Sequence, residues 1–398
     1  MNDIDINKEK LMKDLGTMCS VFSVFPPKDV IKNDYAEFTA LNNAFGKMFF
    51  ENFNLCNLFR NPKEVQKMMD RYRGKAFNRF LDYAAVNKNT LLELFGNYSS
   101  MIDEIDFQDI PFYDVMKYYS KKDFIDIILS FFNTFGEKYY KIAKKYFDEE
   151  RIQMKFLKIE KDYLNMMLDM CKTEEEKENV EKNYGIKDDY AGFFSSIVLL
   201  SSGYILSRFN KFNSFSATSI VHELGHAVDA ETFIFPQQKN MAAFSDMMQE
   251  VPSTSFELNF LDYLIDNRID VDGGMVIMND RHAMIDDTYE GLKTVYDEKQ
   301  VDFDVNGSAI IDEKRYDFKE DILYGLGYYF ALCLNIIKNQ DKNEYLKILN
   351  NIMTMRNEST LDELIEMTGI NYDDFISGKF VRPKVESEYL KLRKRFNV

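Results

Sequence analysis

The sequence predicts a mainly α-helical protein with a small β-sheet, and three observations lead to that prediction. Only 7 prolines and 17 glycines interrupt the 398 residues, which favours long helices over a β-sandwich. Apolar residues recur at spacings of three and four over long stretches. The segment 191–210 instead combines few charges with many β-branched and aromatic residues, so we expect one or two strands there.

The helical pattern is clearest between residues 121 and 170. Apolar side chains follow the helical repeat from Phe124 to Tyr146, and Gly136 is expected to divide this stretch into two helices. Because the composition changes near residue 185, we predict a helical N-terminal domain at 1–185 and a second domain at 186–398.

Beyond the strand segment the helical pattern returns near residue 217, and Ser214 or Ser216 is the candidate N-cap. It continues with breaks to the C-terminus. We expect an interruption at 271–282, where the sequence reads VDGGMVIMNDRH, and a loop or small excursion at 296–313.

Composition and charge exclude several classes of function. The formal net charge of −16 argues against nucleic acid or an anionic membrane as the main partner, since both bind basic surfaces. No stretch approaches 18 consecutive apolar residues and the first residues contain no apolar signal core, so a cytoplasmic location is the default expectation. The four cysteines are scattered without a CxxC pair, which argues against a disulfide framework or a cysteine zinc site.

The stretch SIVHELGHAVDAE, residues 219–231, contains two of the three histidines in the chain. On a helix His222 and His226 point the same way, and two neutral imidazoles with an open position for water suit one zinc ion. Glu223, next to the first histidine, is placed to accept a proton from zinc-bound water. This is the H-E-x-x-H pattern of zinc peptidases.

A catalytic zinc ion needs a third protein ligand, and spacing alone leaves several candidates open. A metzincin histidine is excluded because position 229 is Asp and position 232 is Thr, and the remaining histidine, His282, lies 56 residues after His226. A carboxylate is the better candidate, and the sequence offers a choice of Asp246, Glu250 and Glu257. Asp229 or Glu231 is a candidate to orient a ligand histidine by hydrogen bonding.

HELGHAVDAE followed by QEVPSTSFE resembles the thimet oligopeptidase and oligoendopeptidase F family of zinc metallopeptidases. In that family the zinc helix precedes a segment of the form E-[AV]-P-S, with another glutamate seven residues later. The resemblance implies His222, His226 and Glu250 as zinc ligands, Glu223 as general base and Glu257 as a supporting carboxylate. It also implies a two-lobed helical body around a deep substrate channel, with a small β-sheet beside the HExxH helix.

A second match is LYGLGYYFALCL, residues 323–334, which is similar to the tyrosine- and glycine-rich helix of the family. The resemblance implies that Tyr324 and Tyr328, with Tyr329 as a third candidate, donate hydrogen bonds to the oxyanion of the tetrahedral intermediate.

The chain also departs from the family at two places. The family usually has a histidine before the tyrosine helix, whereas residues 313–321 contain none. Either Tyr316, Arg315 or His282 replaces it, or the enzyme works without it. The family often has a third histidine after the zinc helix, where this chain has Asp229.

The function predicted on this basis is zinc-dependent endopeptidase activity on short unstructured oligopeptides, with one zinc ion whose bound water is activated by Glu223. Cobalt or manganese is not distinguished from zinc by the sequence. One alternative is a carboxypeptidase or dipeptidase, in which Arg208 or Arg281 binds a terminal carboxylate. The other is a non-catalytic helical scaffold that binds a metal. The expected partners are peptide substrates, and the sequence does not fix the oligomeric state.

Overall fold

A computed structural model describes a mainly helical protein, as the sequence predicts. The described residues are 80–105, 115–149, 151–153, 191–197, 202–208, 212–234, 248–298, 301–303, 309–311, 314–355 and 359–397. The predicted domain boundary between residues 185 and 186 lies outside these ranges and stays a prediction. In the described part of the chain, no helix combines the length and the apolar character that crossing a bilayer requires.

The helices carry the labels α1 to α11 in chain order. They are α1 (Lys88–Ile105), α2 (Lys121–Thr134), α3 (Glu137–Asp148), α4 (Ser214–Asp229), α5 (Val251–Asp266), α6 (Val271–Asp297), α7 (Phe318–Gln340), α8 (Lys342–Met355), α9 (Leu361–Met367), α10 (Tyr372–Ile376) and α11 (Arg382–Phe396). The strands are β1 (Ile152–Gln153), β2 (Ala191–Ile197), β3 (Ser202–Arg208), β4 (Asp302–Phe303), β5 (Ala309–Ile311) and β6 (Lys314–Tyr316).

The chain divides into two compact units, each assembled from separate stretches of sequence. The described part of the first unit lies within residues 118–239 and contains α2, α3, α4 and the strands β1 to β3. The described part of the second unit lies within 72–117 and 240–398 and contains the remaining helices and the strands β4 to β6.

In the first unit, a three-stranded sheet lies against α4. Its strand order is β1-β3-β2, with β1 parallel and β2 antiparallel to β3, and α4 packs against β2 and β3. Gly136 separates α2 from α3, as predicted, and its φ of 113° is one that a side chain disfavours.

The start of α4 differs from the prediction. The helix begins at Ser214, and its N-cap is Asn213, whose side chain accepts a hydrogen bond from the Ser216 N–H at 2.9 Å. The prediction of Ser214 or Ser216 as the cap was therefore wrong. The physical reason is that Asn213 has extended backbone angles, whereas the Ser214 hydroxyl is hydrogen-bonded to the Tyr119 hydroxyl at 2.8 Å.

In the second unit, α5, α6 and α7 pack against one another and α1 packs against α6. The interruption predicted at 271–282 was wrong, because α6 runs through it without a break. The Asp270 side chain caps α6 by accepting from the Gly273 N–H at 3.0 Å. A Cβ atom at Gly274 would lie 2.9 Å from the Ile265 side chain, so this glycine permits close packing of α6 on α5 rather than breaking the helix.

The excursion predicted at 296–313 corresponds to the end of α6 and part of a second small sheet. Its strand order is β4-β5-β6, with both neighbouring pairs antiparallel. This sheet precedes α7, the helix that contains the predicted tyrosines.

Candidate metal centre

His222 and His226 lie one turn apart on α4, and their ring centroids are 5.0 Å apart at an interplanar angle of 80°. His222 is 8% exposed, and His226 is half-buried. The helix is held by apolar side chains that are fully buried: Ile220, Val221, Leu224, Ala227 and Val228. Burial on the other faces of α4 therefore fixes the direction in which both imidazoles point.

Three acidic residues accompany the histidines on this part of the chain. Glu223 and Asp229 are both buried, at 5% and 3% exposure. Glu231 belongs to the π-helical turn Ala230–Ile234 that continues α4, and it forms an ion pair with Lys145 at 2.9 Å. Turns of this type occur often at functional sites. Glu231, one of the two predicted orienting groups, thus pairs with a lysine. The other, Asp229, is the last residue of α4, and its orienting role stays a prediction.

Glu250 occupies the N-cap position of α5 and is 5% exposed. Its carboxylate accepts hydrogen bonds from the Ser253 hydroxyl at 3.1 Å and from the Gln249 amide at 3.1 Å. Its carbonyl oxygen shares the same Ser253 hydroxyl proton, at 2.8 Å, and accepts a second hydrogen bond from the Thr254 hydroxyl at 2.6 Å. The serine of the EVPS segment therefore orients the glutamate, a role that the motif match alone does not reveal.

Gly327 on α7 allows that helix to approach Glu250 closely. A Cβ atom at position 327 would lie 2.9 Å from the Glu250 Cβ and 3.2 Å from the Thr254 side chain. The sequence indicates a glycine-rich helix here, but the reason for this glycine becomes visible only when α5 and α7 are seen together.

One ligand atom from each of His222, His226 and Glu250 forms a group in which all atoms lie within 4.8 Å of one another. Two imidazole nitrogens and one carboxylate oxygen form a donor set typical of catalytic zinc sites, which leave a further position for water or substrate. The residues present therefore fit a divalent metal ion. Among the other third-ligand candidates, Asp246 lies outside the described residues and Glu257 has the partners described next.

Glu257 lies on α5, two turns after Glu250, and is 1% exposed. Its Oε2 accepts a hydrogen bond from the Tyr328 hydroxyl at 2.9 Å, and its Oε1 accepts one from Arg281 Nε at 2.6 Å. Burial disfavours the charged form of Arg281, but Glu257, Tyr328 and Asp280 together more than offset this, so the pKa of Arg281 is raised. Burial also raises the pKa of Tyr328 well above its ordinary value, so its hydroxyl keeps its proton.

The other two tyrosines of α7 differ from each other. Tyr324 is half-buried and stacks on Tyr328 with a centroid separation of 6.3 Å. Tyr329 is fully buried, packs against Tyr98 and Phe375, and donates its hydroxyl to the Phe375 carbonyl. Burial raises the pKa of Tyr329 well above the usual range, and its contacts are those of a core residue.

The candidates for the missing histidine have different surroundings. His282 is buried, with Nδ1 hydrogen-bonded to the Tyr98 hydroxyl and Nε2 to Glu388, both at 2.9 Å. It lines a cavity of about 170 Å³ in the second unit, together with Glu388. Tyr316 and Arg315 lie in β6, and the side chain of Arg315, like that of Arg208, is outside the described part of the structure.

No protein-family model and no curated protein matches the chain. Solved structures do match, and their descriptions name peptidases. An assigned oligoendopeptidase F from Bacillus anthracis strain Ames is 13% identical with a TM-score of 0.47, over 96% of this chain and 68% of that one. PZ peptidase A with an inhibitor is 10% identical with a TM-score of 0.46, over 97% and 81%. An assigned peptidase from Chlamydophila abortus is 12% identical with a TM-score of 0.41, over 95% and 67%. At such low values the likeness carries no argument about the site.

Proposed function

We propose that this protein is a zinc-dependent endopeptidase that hydrolyses short, unstructured oligopeptides. The observation that carries the proposal is the group of ligand atoms from His222, His226 and Glu250 within 4.8 Å of one another. The presence of Glu223 directly after the first histidine supports a catalytic rather than a structural metal, since a structural site needs no base.

A zinc ion in this site would polarise the scissile carbonyl and acidify a water molecule. The two imidazoles on the buried helix α4 would hold the ion, and the Glu250 carboxylate, which accepts a hydrogen bond from Ser253, would be the third ligand. Cobalt and manganese also accept this donor set, so the identity of the metal is an outcome of metal analysis.

The chain's own residues supply the proton transfers and the stabilisation of charge. Glu223 takes a proton from the attacking water and passes it to the leaving amine. A tyrosine hydroxyl of α7 donates a hydrogen bond to the oxygen of the scissile carbonyl as negative charge develops on it. Tyr324 is the stronger candidate, because the Tyr328 hydroxyl already donates to Glu257.

The proposed substrates are limited to short, unfolded peptides. The two-lobed helical body with a deep channel, which the family resemblance implies, would admit unfolded peptides and exclude folded proteins. The catalytic residues all fall within the proposed catalytic domain, residues 186–398.

The test compares Glu223→Gln with Glu231→Gln, which removes the same charge eight residues further along the chain. The expected result is that Glu223→Gln binds zinc as the wild type does but no longer cleaves a mixture of peptides blocked at both ends. Glu231→Gln, which removes the partner of Lys145, should keep cleavage. Retained cleavage in Glu223→Gln would refute the assignment of the protein as a zinc endopeptidase with Glu223 as its general base.

The same measurements separate the two alternatives. Cleavage restricted to peptides with a free terminus would indicate a carboxypeptidase or dipeptidase. Bound zinc without hydrolysis of any peptide would indicate a non-catalytic metal-binding scaffold.

A further inference from the structure

We propose that Arg281 is a positioning residue for this reaction, a role that rests on the proposed endopeptidase function. Arg281 lies on α6, Glu257 on α5 and Tyr328 on α7, so one cluster of side chains joins the three central helices of the second unit. Arg281 fixes the Glu257 carboxylate, and that carboxylate fixes the Tyr328 hydroxyl.

Two side chains of this cluster donate hydrogen bonds to the same carboxylate, that of Glu257. One oxygen of Glu257 accepts a hydrogen bond from Arg281 at 2.6 Å, and the other accepts one from Tyr328 at 2.9 Å. The guanidinium also lies over the Tyr328 ring, 5.6 Å from its centroid, which adds a cation–π contact between the two donors. Arg281 therefore contacts both of the other members directly.

The electrostatics explain why an arginine is needed here. The side chains of Arg281 and Glu257 are 13% and 2% exposed, so Glu257 is a buried carboxylate whose charge must be compensated. Arg281 also pairs with Asp280 at 2.5 Å, but the Asp280 side chain is 43% exposed and is stabilised by water. Loss of Arg281 would thus affect Glu257 more than Asp280, because the negative charge of the buried Glu257 carboxylate would no longer be compensated by this cation.

The cluster is linked to the candidate metal centre along two helices. Glu257 follows Glu250 by two turns on α5, and Tyr328 follows Gly327, the residue at which α7 meets Glu250. Tyr324 in turn stacks on Tyr328. Because its hydroxyl is fixed by Glu257, Tyr328 sets the position of the Tyr324 ring. Arg281 therefore acts through these two tyrosines rather than on the substrate.

The experiment measures kcat and KM for Arg281→Met, Arg281→Lys and the double variant Arg281→Met with Glu257→Gln. Substrates are peptides with a free C-terminal carboxylate and the same peptides as amides. The matched control is Arg395→Met, which removes the exposed ion pair with Asp272 at 2.6 Å. Zinc affinity is measured for each variant by competition with a chelator, and thermal unfolding verifies that each variant folds.

Arg281→Met should lower kcat by roughly 10–100-fold on both kinds of peptide, with KM within about threefold of wild type, as found when supporting groups around a metal site are removed. Arg281→Lys keeps the charge and should lose less. The double variant removes the unpaired buried charge and should unfold at a higher temperature than Arg281→Met. Zinc affinity should change less than threefold, because Arg281 acts on tyrosines rather than ligands. Arg395→Met should behave as wild type.

Three outcomes would overturn the inference. An unchanged kcat in folded Arg281→Met removes the positioning role. A rise in KM confined to peptides with a free carboxylate would instead make Arg281 a substrate-binding residue. A double variant less stable than Arg281→Met would show that Glu257 does not depend on this arginine. Absence of metal-dependent cleavage by the wild type is a separate result, which refutes the proposed function itself and this role with it.

Discussion

Gly327 on α7 and Glu250 on α5 are so close that a methyl group at position 327 would lie 2.9 Å from the Glu250 Cβ. Neither atom belongs to the flexible end of a side chain, so the two helices would have to separate to admit it. We expect Gly327→Ala to destabilise the protein by about 1–3 kcal/mol through overpacking, despite the gain of up to about 1 kcal/mol in helix propensity. Zinc affinity should fall as Glu250 is displaced.

Gly325→Ala is the matched control for this variant, since it makes the same change on the same helix. A methyl group there would meet the Thr288 side chain at 2.5 Å and Phe95 at 3.0 Å, away from Glu250. Its stability should fall in chemical denaturation while its zinc affinity is retained. Equal loss of zinc affinity in both variants would contradict a specific effect of Gly327 on Glu250.

Ser253 is predicted to contribute to metal binding through its hydrogen bond to the Glu250 carboxylate. Ser253→Ala should weaken zinc binding roughly 10-fold or more, because an unoriented ligand must be ordered when the metal binds. Ser255→Ala is the control, since that buried hydroxyl pairs instead with the Tyr345 hydroxyl at 3.0 Å. Chelator titration of both variants should show a loss of affinity only for Ser253→Ala, and a similar loss for Ser255→Ala would refute the role.

Tyr324 and Tyr328 of α7 are predicted to differ in their contribution to stability. Tyr328→Phe deletes a donor to a buried carboxylate and should cost about 1.5–3 kcal/mol of stability. Tyr324→Phe, at a half-buried position, should leave stability nearly unchanged but lower kcat roughly 100- to 1,000-fold if its hydroxyl stabilises the oxyanion. Urea unfolding and steady-state kinetics on both variants test this, and a Tyr324→Phe enzyme with normal kcat would refute it.

The amount of the site that the sequence could predict differs between local and non-local features. The histidine pair and Glu223 depend on one turn of one helix, and the spacing of four residues is enough to indicate them. Ser253 contacts Glu250 within the first turn of α5, three residues away, so its role is also local, although the motif match did not assign it. The role of Gly327 depends on the packing of α5 against α7, and no local pattern carries that information. The interruption predicted at 271–282 failed for the same reason, because Gly274 is required by its contact with Ile265 on a neighbouring helix.

The fold was predicted best where one residue decides a local feature. Gly136 divides α2 from α3 because its backbone angle requires a glycine. The cap of α4 was mistaken because Asn213, Ser214 and Ser216 are all good capping residues. The extended backbone of Asn213 and the Tyr119 contact to Ser214 distinguish them only in the folded structure.

Asp321 is predicted to make stability depend on pH. Burial, and then the neighbouring carboxylates of Asp317, Glu320 and Asp287, raise the pKa of Asp321 from 3.8 to about 6. The folded state therefore binds more protons than the unfolded state between these two values, so this residue lowers stability as pH rises from about 4 to about 6. Above pH 6 the penalty is constant, and below pH 4 it is absent.

The variant Asp321→Asn should remove that penalty. Its melting temperature relative to wild type should rise progressively between pH 4 and pH 6 and then stay constant at higher pH. Calorimetry of both proteins at a series of pH values measures the difference directly. A difference that is independent of pH across this range would contradict the assignment.

The interleaved sequence of the two units has a consequence for how the protein folds during synthesis. Tyr98 on α1 hydrogen-bonds to His282 on α6, which is made 184 residues later. At roughly 5–20 residues per second, a ribosome takes about 10–40 s to cover that interval. During this time Leu91, Leu94, Phe95 and Tyr98, all fully buried in the finished protein, lack their native cover from α6 and α7. We therefore expect the nascent chain to bind chaperones that recognise exposed apolar helices.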